Sequence, residues 1–255
     1  FIVFPELCLS GYTSGDLFFD RSFLKENLKS LNFLIKNTNY KGVYLLGMPI
    51  EVHSSIFNVA IVVQDKKILG IVPKKTIPNY KEFKEKRWFQ SGKDIVTQKI
   101  ELLEQNVLFG DILFINKKFN IIFGVEICQD LWTIESPSDL MVLNGAHLIF
   151  NLSASSEHIG KIEPRRIAVI DHSRKQIGGY FYTSSGITEK TTEIVCSNHK
   201  IASVMGNILG EKDFLNNDEN LIVDVDIDSI KHQRIIDTTF GEQKQKKIFP
   251  FFYSN

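Results

Sequence analysis

Three side chains capable of chemistry stand just past apolar runs. Glu6 follows Phe1-Ile2-Val3-Phe4-Pro5 and is surrounded by apolar residues. A carboxylate in such surroundings is suited to move protons near neutral pH. Lys74 and Lys75 follow Gly70-Ile71-Val72-Pro73, where a lysine can place a fixed positive charge over a site. Cys128 ends the run Ile121–Ile127 and precedes a turn. A thiol at the C-terminal end of a strand, with backbone N–H groups nearby for an oxyanion, has the placement of a nucleophile. Each residue also has a plainer reading. A strand-end Glu caps a turn, paired lysines form a solvated face, and a free Cys is a small buried hydrophobe. Cys8 and Cys196 take that last reading, with Cys196 expected inside an apolar strand.

The elements that must position these groups are short. Apolar runs rich in Ile, Val and Phe alternate with amphipathic stretches, the pattern of an α/β protein. Strands are expected at 1–4, 43–48, 57–64, 67–72, 111–115, 120–126, 147–152, 179–184, 192–196 and 220–226. Asp65-Lys66-Lys67 reads as a hairpin turn between two of them. Helices are expected at about 21–37, 137–145 and 163–177. The first repeats Phe23, Leu24, Leu28, Leu31 and Leu34 near a 3.6-residue period. Residues 73–92 form a polar and aromatic loop, and long loops of this kind are uncommon unless they carry function.

Composition narrows the class. The 255 residues suffice for a proper core. Lys plus Arg equals Asp plus Glu, 30 each, which gives no support for nucleic-acid binding. No apolar run approaches the roughly 18 residues of a membrane span. Three cysteines are too few for a disulfide framework and fit a reducing cytoplasm. The chain opens without Met inside an apolar run, so preceding sequence is expected to be missing.

A Glu, a Lys and a Cys, in that order after successive strands, resemble the nitrilase superfamily of carbon-nitrogen hydrolases. The surrounding words sharpen the likeness. Phe4-Pro5-Glu6-Leu7-Cys8-Leu9-Ser10-Gly11-Tyr12, Ile77-Pro78-Asn79-Tyr80-Lys81-Glu82-Phe83, Glu85-Lys86-Arg87-Trp88-Phe89, Gly124-Val125-Glu126-Ile127-Cys128-Gln129-Asp130-Leu131-Trp132 and Asn151-Leu152-Ser153-Ala154-Ser155 are similar to blocks of the glutaminase domain of glutamine-dependent NAD synthetases. Two departures are visible. Gln129 stands where that family usually has an acidic residue, and Glu189-Lys190-Thr191-Thr192-Glu193 replaces a Glu-Ser-Thr-Thr-Asp block.

The resemblance implies an α-β-β-α sandwich of two mixed sheets packed face to face with helices outside. It implies that 1–255 is one carbon-nitrogen hydrolase domain, trimmed at its N-terminus, with a synthetase domain absent; Phe249-Pro250-Phe251 resembles the junction before that domain. It implies catalysis by Glu6 as base, Lys74 as oxyanion cation and Cys128 as nucleophile of a thioester reaction. Lys74 is preferred to Lys75 because it holds the family position before Pro78. Tyr80, Ser155, Lys161, Glu85, Trp132 and Gln129 are implied around a glutamine substrate, with Lys161 meeting its α-carboxylate and Glu85 alternatively holding Lys74 in place. No metal and no cofactor is implied for this domain, whereas ATP and Mg²⁺ belong to the synthetase domain of the same polypeptide. A cytoplasmic homo-oligomer follows by resemblance. The rival readings are a stand-alone nitrilase-type amidase or carbamoylase, and a non-catalytic interaction domain that keeps the fold.

Overall fold

The apolar runs pair into two mixed sheets. A computed structural model of the chain describes residues 1–213, 220–246 and 252–254. The first sheet holds β1 (Ile2–Val3), β2 (Val43–Val52), β3 (Ser55–Gln64), β4 (Lys67–Pro73), β5 (Gln98–Leu102) and β6 (Gln105–Phe109), in the order β1-β2-β3-β4-β6-β5. The second holds β7 (Ile112–Asn116), β8 (Ile121–Ile127), β9 (Leu148–Ser153), β10 (Gly179–Ser184), β11 (Lys200–Val204), β12 (Asn207–Lys212) and β13 (Phe252–Ser254), in the order β12-β11-β10-β9-β8-β7-β13. β8, β9 and β10 run parallel, whereas β2, β3 and β4 are antiparallel.

Side-chain alternation builds the layers. Leu45, Ala60, Val62 and Val72 of the first sheet meet Phe114, Val125, Ile127, Phe150 and Leu152 of the second in one buried cluster. Their chain neighbours Leu46, Ile61 and Val63 point the other way, onto Leu31 and Ile35 of helix α1 (Arg21–Asn37). Asp20 caps that helix by accepting the N–H groups of Ser22 and Phe23. Helices α2 (Pro137–Leu143) and α3 (Ile162–Lys175) cover the second sheet, where Met141, Val142 and Val169 pack on Ile149, Tyr180 and Tyr182. The result is the expected α-β-β-α sandwich. Among the described residues, no helix is long and apolar enough to cross a membrane.

Several elements differ from the sequence reading. Residues 192–196 are not a strand. Two isolated bridges and local bonds such as Thr191 N–H to the Ile194 carbonyl close a loop there, and Cys196 is buried in it. Residues 220–226 form no ladder, although Val225 packs on the inter-sheet core. The hairpins β5–β6 and β11–β12 carry little signal in the sequence because their strands are half polar. An edge strand solvated on one side, such as Gln98-Lys99-Ile100-Glu101-Leu102, carries little apolar periodicity. Helices α4 (Ile227–Ile236) and α5 (Thr238–Lys246) lie beyond the three helices expected from the sequence. Ile167 of α3 is exposed, and that helix buries Arg165, Val169, His172 and Ser173. Phe249-Pro250-Phe251 lies outside the described residues.

Candidate active site

Three strand ends converge at one edge of the sandwich. Glu6 lies just past β1, and its backbone N–H bonds the Ser153 carbonyl at the end of β9, 3.3 Å away. This segment presses on β2 at Gly47, where a Cβ would come within 2.3 Å of the Leu7 nitrogen. Only glycine allows that approach. Lys74 leaves β4 with its N–H on the Asn58 carbonyl and its carbonyl on the Gly92 N–H. Cys128 follows β8 with φ of 46° and opens a 3-10 turn, Cys128–Trp132. A non-glycine residue in the left-handed region is uncommon, and a sharp strand-to-helix elbow is one place that imposes it.

The side chains form a closed charge cluster. Lys74 Nζ donates to Glu6 Oε1 at 2.6 Å and to Glu85 Oε1 and Oε2 at 2.7 and 2.8 Å, with all three residues buried. Glu6 Oε1 also accepts from Asn58 Nδ2 at 2.6 Å, and its Oε2 accepts from the Ala154 N–H at 2.9 Å. Tyr12 Oη donates to Glu85 Oε1 at 2.8 Å. The Ala154 backbone also lies close enough to Cys128 to act on its thiol. Ala154 therefore neighbours both the thiol and the carboxylate.

Burial pushes the Cys128 thiol up to about 12, helped by Glu6 and opposed by Lys74. The resting group is a neutral thiol. Burial by itself would lower the Lys74 ammonium, but Glu6 and Glu85 outweigh it and hold it above its usual value. Glu85 is pushed up to about 7 by burial, with Lys74 opposing and Glu6 reinforcing. A neutral thiol beside a carboxylate that can take its proton, with a fixed cation behind, can attack an acyl carbon without a preformed thiolate.

The remaining residues singled out in the sequence fall into two groups. At the mouth, half-exposed Tyr80 donates its hydroxyl to Gln129 Oε1 at 2.8 Å. Both Tyr80 and Lys161 lie within electrostatic reach of Cys128. Trp132 ends the 3-10 turn with its ring partly exposed. Ser155 is buried, and its Oγ accepts from Arg165 Nη2 at 3.3 Å. Lys161 Nζ donates to Ser156 Oγ at 2.9 Å. Lys75 points away from the cluster and pairs with Asp111 at 2.6 Å. The thiols of Cys8 and Cys196 are pushed up by burial to about 11 and about 12. Among the described residues, no group of three or more His, Cys, Asp or Glu converges as a metal site.

Sequence reasoning missed the residues that hold the cluster together. Asp130 accepts the N–H groups of Thr76 at 2.7 Å, Ile127 at 3.2 Å and Lys75 at 3.4 Å, which joins the thiol turn to the lysine loop. Asn58 is a polar residue in the otherwise apolar stretch Ile56–Val63, and that anomaly was the available signal. Behind the thiol strand, buried Glu126 accepts from Tyr180 Oη, from the Ser138 N–H at 2.9 Å and from Asn151 Nδ2 at 3.4 Å. Burial pushes its carboxyl up to about 7.

The carbon-nitrogen hydrolase family profile matches residues 1–234. A glutamine-dependent NAD(+) synthetase of Mycobacterium tuberculosis is 31% identical over 247 residues, which is 95% of this chain and 36% of the relative. One from Thermotoga maritima is 39% identical over 161 residues, covering 63% of this chain and 25% of the relative. The chain thus spans about a third or less of the length of these relatives. In fold it is similar to a glutamine-dependent NAD(+) synthetase structure from Cytophaga hutchinsonii, with TM-score 0.73 and 24% identity over 83% of this chain and 34% of that one. It is also similar to a carbon-nitrogen hydrolase structure from Helicobacter pylori, with TM-score 0.69 and 18% identity over 94% and 81%.

Proposed function

The chain belongs to the carbon-nitrogen hydrolase family, and from that premise we propose that it hydrolyses the side-chain amide of glutamine, releasing ammonia for an ATP- and Mg²⁺-dependent synthetase that makes NAD from its deamido precursor. The observation that carries the chemistry is the Glu6–Lys74–Glu85 cluster beside Cys128. The choice of glutamine is supported by relatives that are glutamine-dependent NAD(+) synthetases over nearly the whole of this chain.

In the first half-reaction, Cys128 attacks the amide carbon as its proton passes to Glu6. A thiol held near 12 gives up its proton only as the S–C bond forms, so transfer and attack are coupled. The oxyanion needs strong electrostatic support because amide resonance is lost. One Lys74 hydrogen on Glu6 and one shared between the two Glu85 oxygens leave a third for the oxyanion. The Gln129 backbone N–H, next along the elbow, is the second donor. Glu6 then gives its proton to the amide nitrogen, the C–N bond breaks, and ammonia leaves a thioester. In the second half-reaction, Glu6 takes a proton from water as the water oxygen attacks that thioester. The C–S bond breaks, glutamate departs, and the proton returns to Sγ.

The test is release of glutamate and ammonia from glutamine, compared with acetamide and with a carbamoyl amino acid. Glutamine should be preferred strongly, and Cys128→Ala should abolish turnover. Preference for the simple amide or the carbamoyl compound would favour a stand-alone amidase or carbamoylase. No turnover of any of the three in the full-length protein would favour an interaction domain.

A further inference from the structure

The mouth of the site carries two opposite charges bridged by one hydroxyl. Lys161 Nζ donates to Ser156 Oγ at 2.9 Å, and Ser156 Oγ donates to Glu82 Oε1 at 2.6 Å. Glu82 comes from the long loop after β4, while Ser156 and Lys161 come from the segment between β9 and α3. The two halves of the bridge therefore meet only in the fold. Lys161 also sits 5.7 Å from the centroid of the Phe83 ring.

The other carboxylates of this region are committed. Glu157 pairs with Arg165 at 3.0 Å, Glu193 pairs with Lys84 at 2.9 Å, and Glu189 accepts the Thr13 N–H at 2.8 Å. Glu82 is held by a neutral hydroxyl, and a carboxylate with about four acceptor positions keeps most of its capacity after one such bond. Lys161 is likewise held by that neutral hydroxyl and keeps two of its three hydrogens. Arg165 also acts on Lys161 electrostatically but is itself paired with Glu157, so Lys161 is the cation that this side of the mouth offers to an incoming anion. Gln129, next to Cys128, offers no charge, and its side-chain oxygen is taken by Tyr80. A ligand with a cation and an anion on one carbon matches a Glu and a Lys that stand one hydroxyl apart.

We propose that Glu82 accepts the α-ammonium of the substrate while Lys161 takes its α-carboxylate, with Ser156 setting their spacing, so that the site selects free α-amino acid amides. This inference rests on the glutaminase reading above and adds the residue that recognises the ammonium. A charge-assisted hydrogen bond of this kind is worth on the order of 10- to 100-fold in binding.

The experiment compares kcat/KM for glutamine with kcat/KM for glutaramate, which has the same amide and carboxylate but no ammonium, in the full-length protein and its Glu82→Gln variant. Gln keeps an acceptor for Ser156. The unaltered protein should favour glutamine on the order of 10- to 100-fold, and Glu82→Gln should collapse that ratio toward one, mainly through KM for glutamine. Equal losses on both substrates, or an unaltered ratio, overturn the inference. So does an unaltered protein that does not distinguish the two substrates, a result that needs no variant to fold. If the unaltered protein hydrolyses glutamine and the Glu82 result fails, only this inference falls. If it hydrolyses neither, the glutaminase reading falls and takes the inference with it.

Discussion

Asp130→Asn should loosen the joint between the thiol turn and the loop that carries Lys74. The carboxylate of Asp130 is buried and receives three backbone N–H groups, from Thr76 at 2.7 Å, Ile127 at 3.2 Å and Lys75 at 3.4 Å. Two oxygens without a proton can serve all three. Asparagine has one acceptor oxygen and an NH₂ donor. If that oxygen stays on the Thr76 N–H, the NH₂ faces the N–H groups of Ile127 and Lys75, and donor meets donor. Each orphaned buried N–H costs about 1–3 kcal/mol, so two cost roughly 2–6 kcal/mol. Burial also pushes the Asp130 carboxyl up, so the neutral isostere recovers part of the cost of a buried charge and brings the expected loss to roughly 2–4 kcal/mol. In a chain of this size each kcal/mol is worth about 2–4 °C in Tm, which gives a fall on the order of 5–15 °C. The site should suffer as well, because an ångström of misplacement can cost about 100-fold in rate. Thermal unfolding and glutamate release measure the two effects, with the loss expected in kcat more than in KM. A variant that melts within a degree or two of the unaltered protein and keeps its kcat would refute the argument that Asp130 aligns the thiol with the lysine.

Three further outcomes are expected. A glutamine-like electrophile should label Cys128 and neither Cys8 nor Cys196, as read by mass spectrometry of tryptic peptides; Cys8→Ala and Cys196→Ala should keep glutaminase activity, and its loss in either would contradict the assignment. Lys74→Met should leave Glu6 and Glu85 facing each other without a cation, at a cost of about 3–5 kcal/mol in unfolding free energy, whereas Lys75→Met, which breaks only the partly exposed pair with Asp111, should cost clearly less; equal effects would overturn the distinction. Glu126 is held up to about 7, above the usual carboxylate value, so the folded state keeps a proton that the unfolded state releases. Stability from this group is therefore present below about pH 4.5 and lost as pH rises toward 7, by an amount on the order of 3 kcal/mol; Glu126→Gln should lose much of the fall in Tm between pH 5 and pH 8, and an undiminished fall would show that Glu126 is not its source.

How much of this was legible in the sequence depended on how local the signal was. Glu6, Lys74 and Cys128 are each marked by an apolar run that ends at a charged or nucleophilic residue, and the motif words around them carried the family. The central strands read clearly because they are buried on both faces, as the apolar run Val59–Val63 of β3 illustrates. The hairpin β5–β6 did not, since an edge exposed to solvent has no need of apolar residues on both faces.

Partnership is what only the tertiary structure decided. Nothing near position 130 indicates that its carboxylate reaches the N–H groups of Lys75 and Thr76, because hydrogen bonds across more than fifty residues leave no local pattern. The resemblance implies Ser155 and Lys161 around the substrate, and the fold alone shows that the Ser155 hydroxyl accepts from Arg165 while Lys161 donates to Ser156. Adjacent serines are chemically equivalent as letters. Backbone direction at the end of β9 separates them, and that direction is set by the packing of two sheets rather than by the residues themselves.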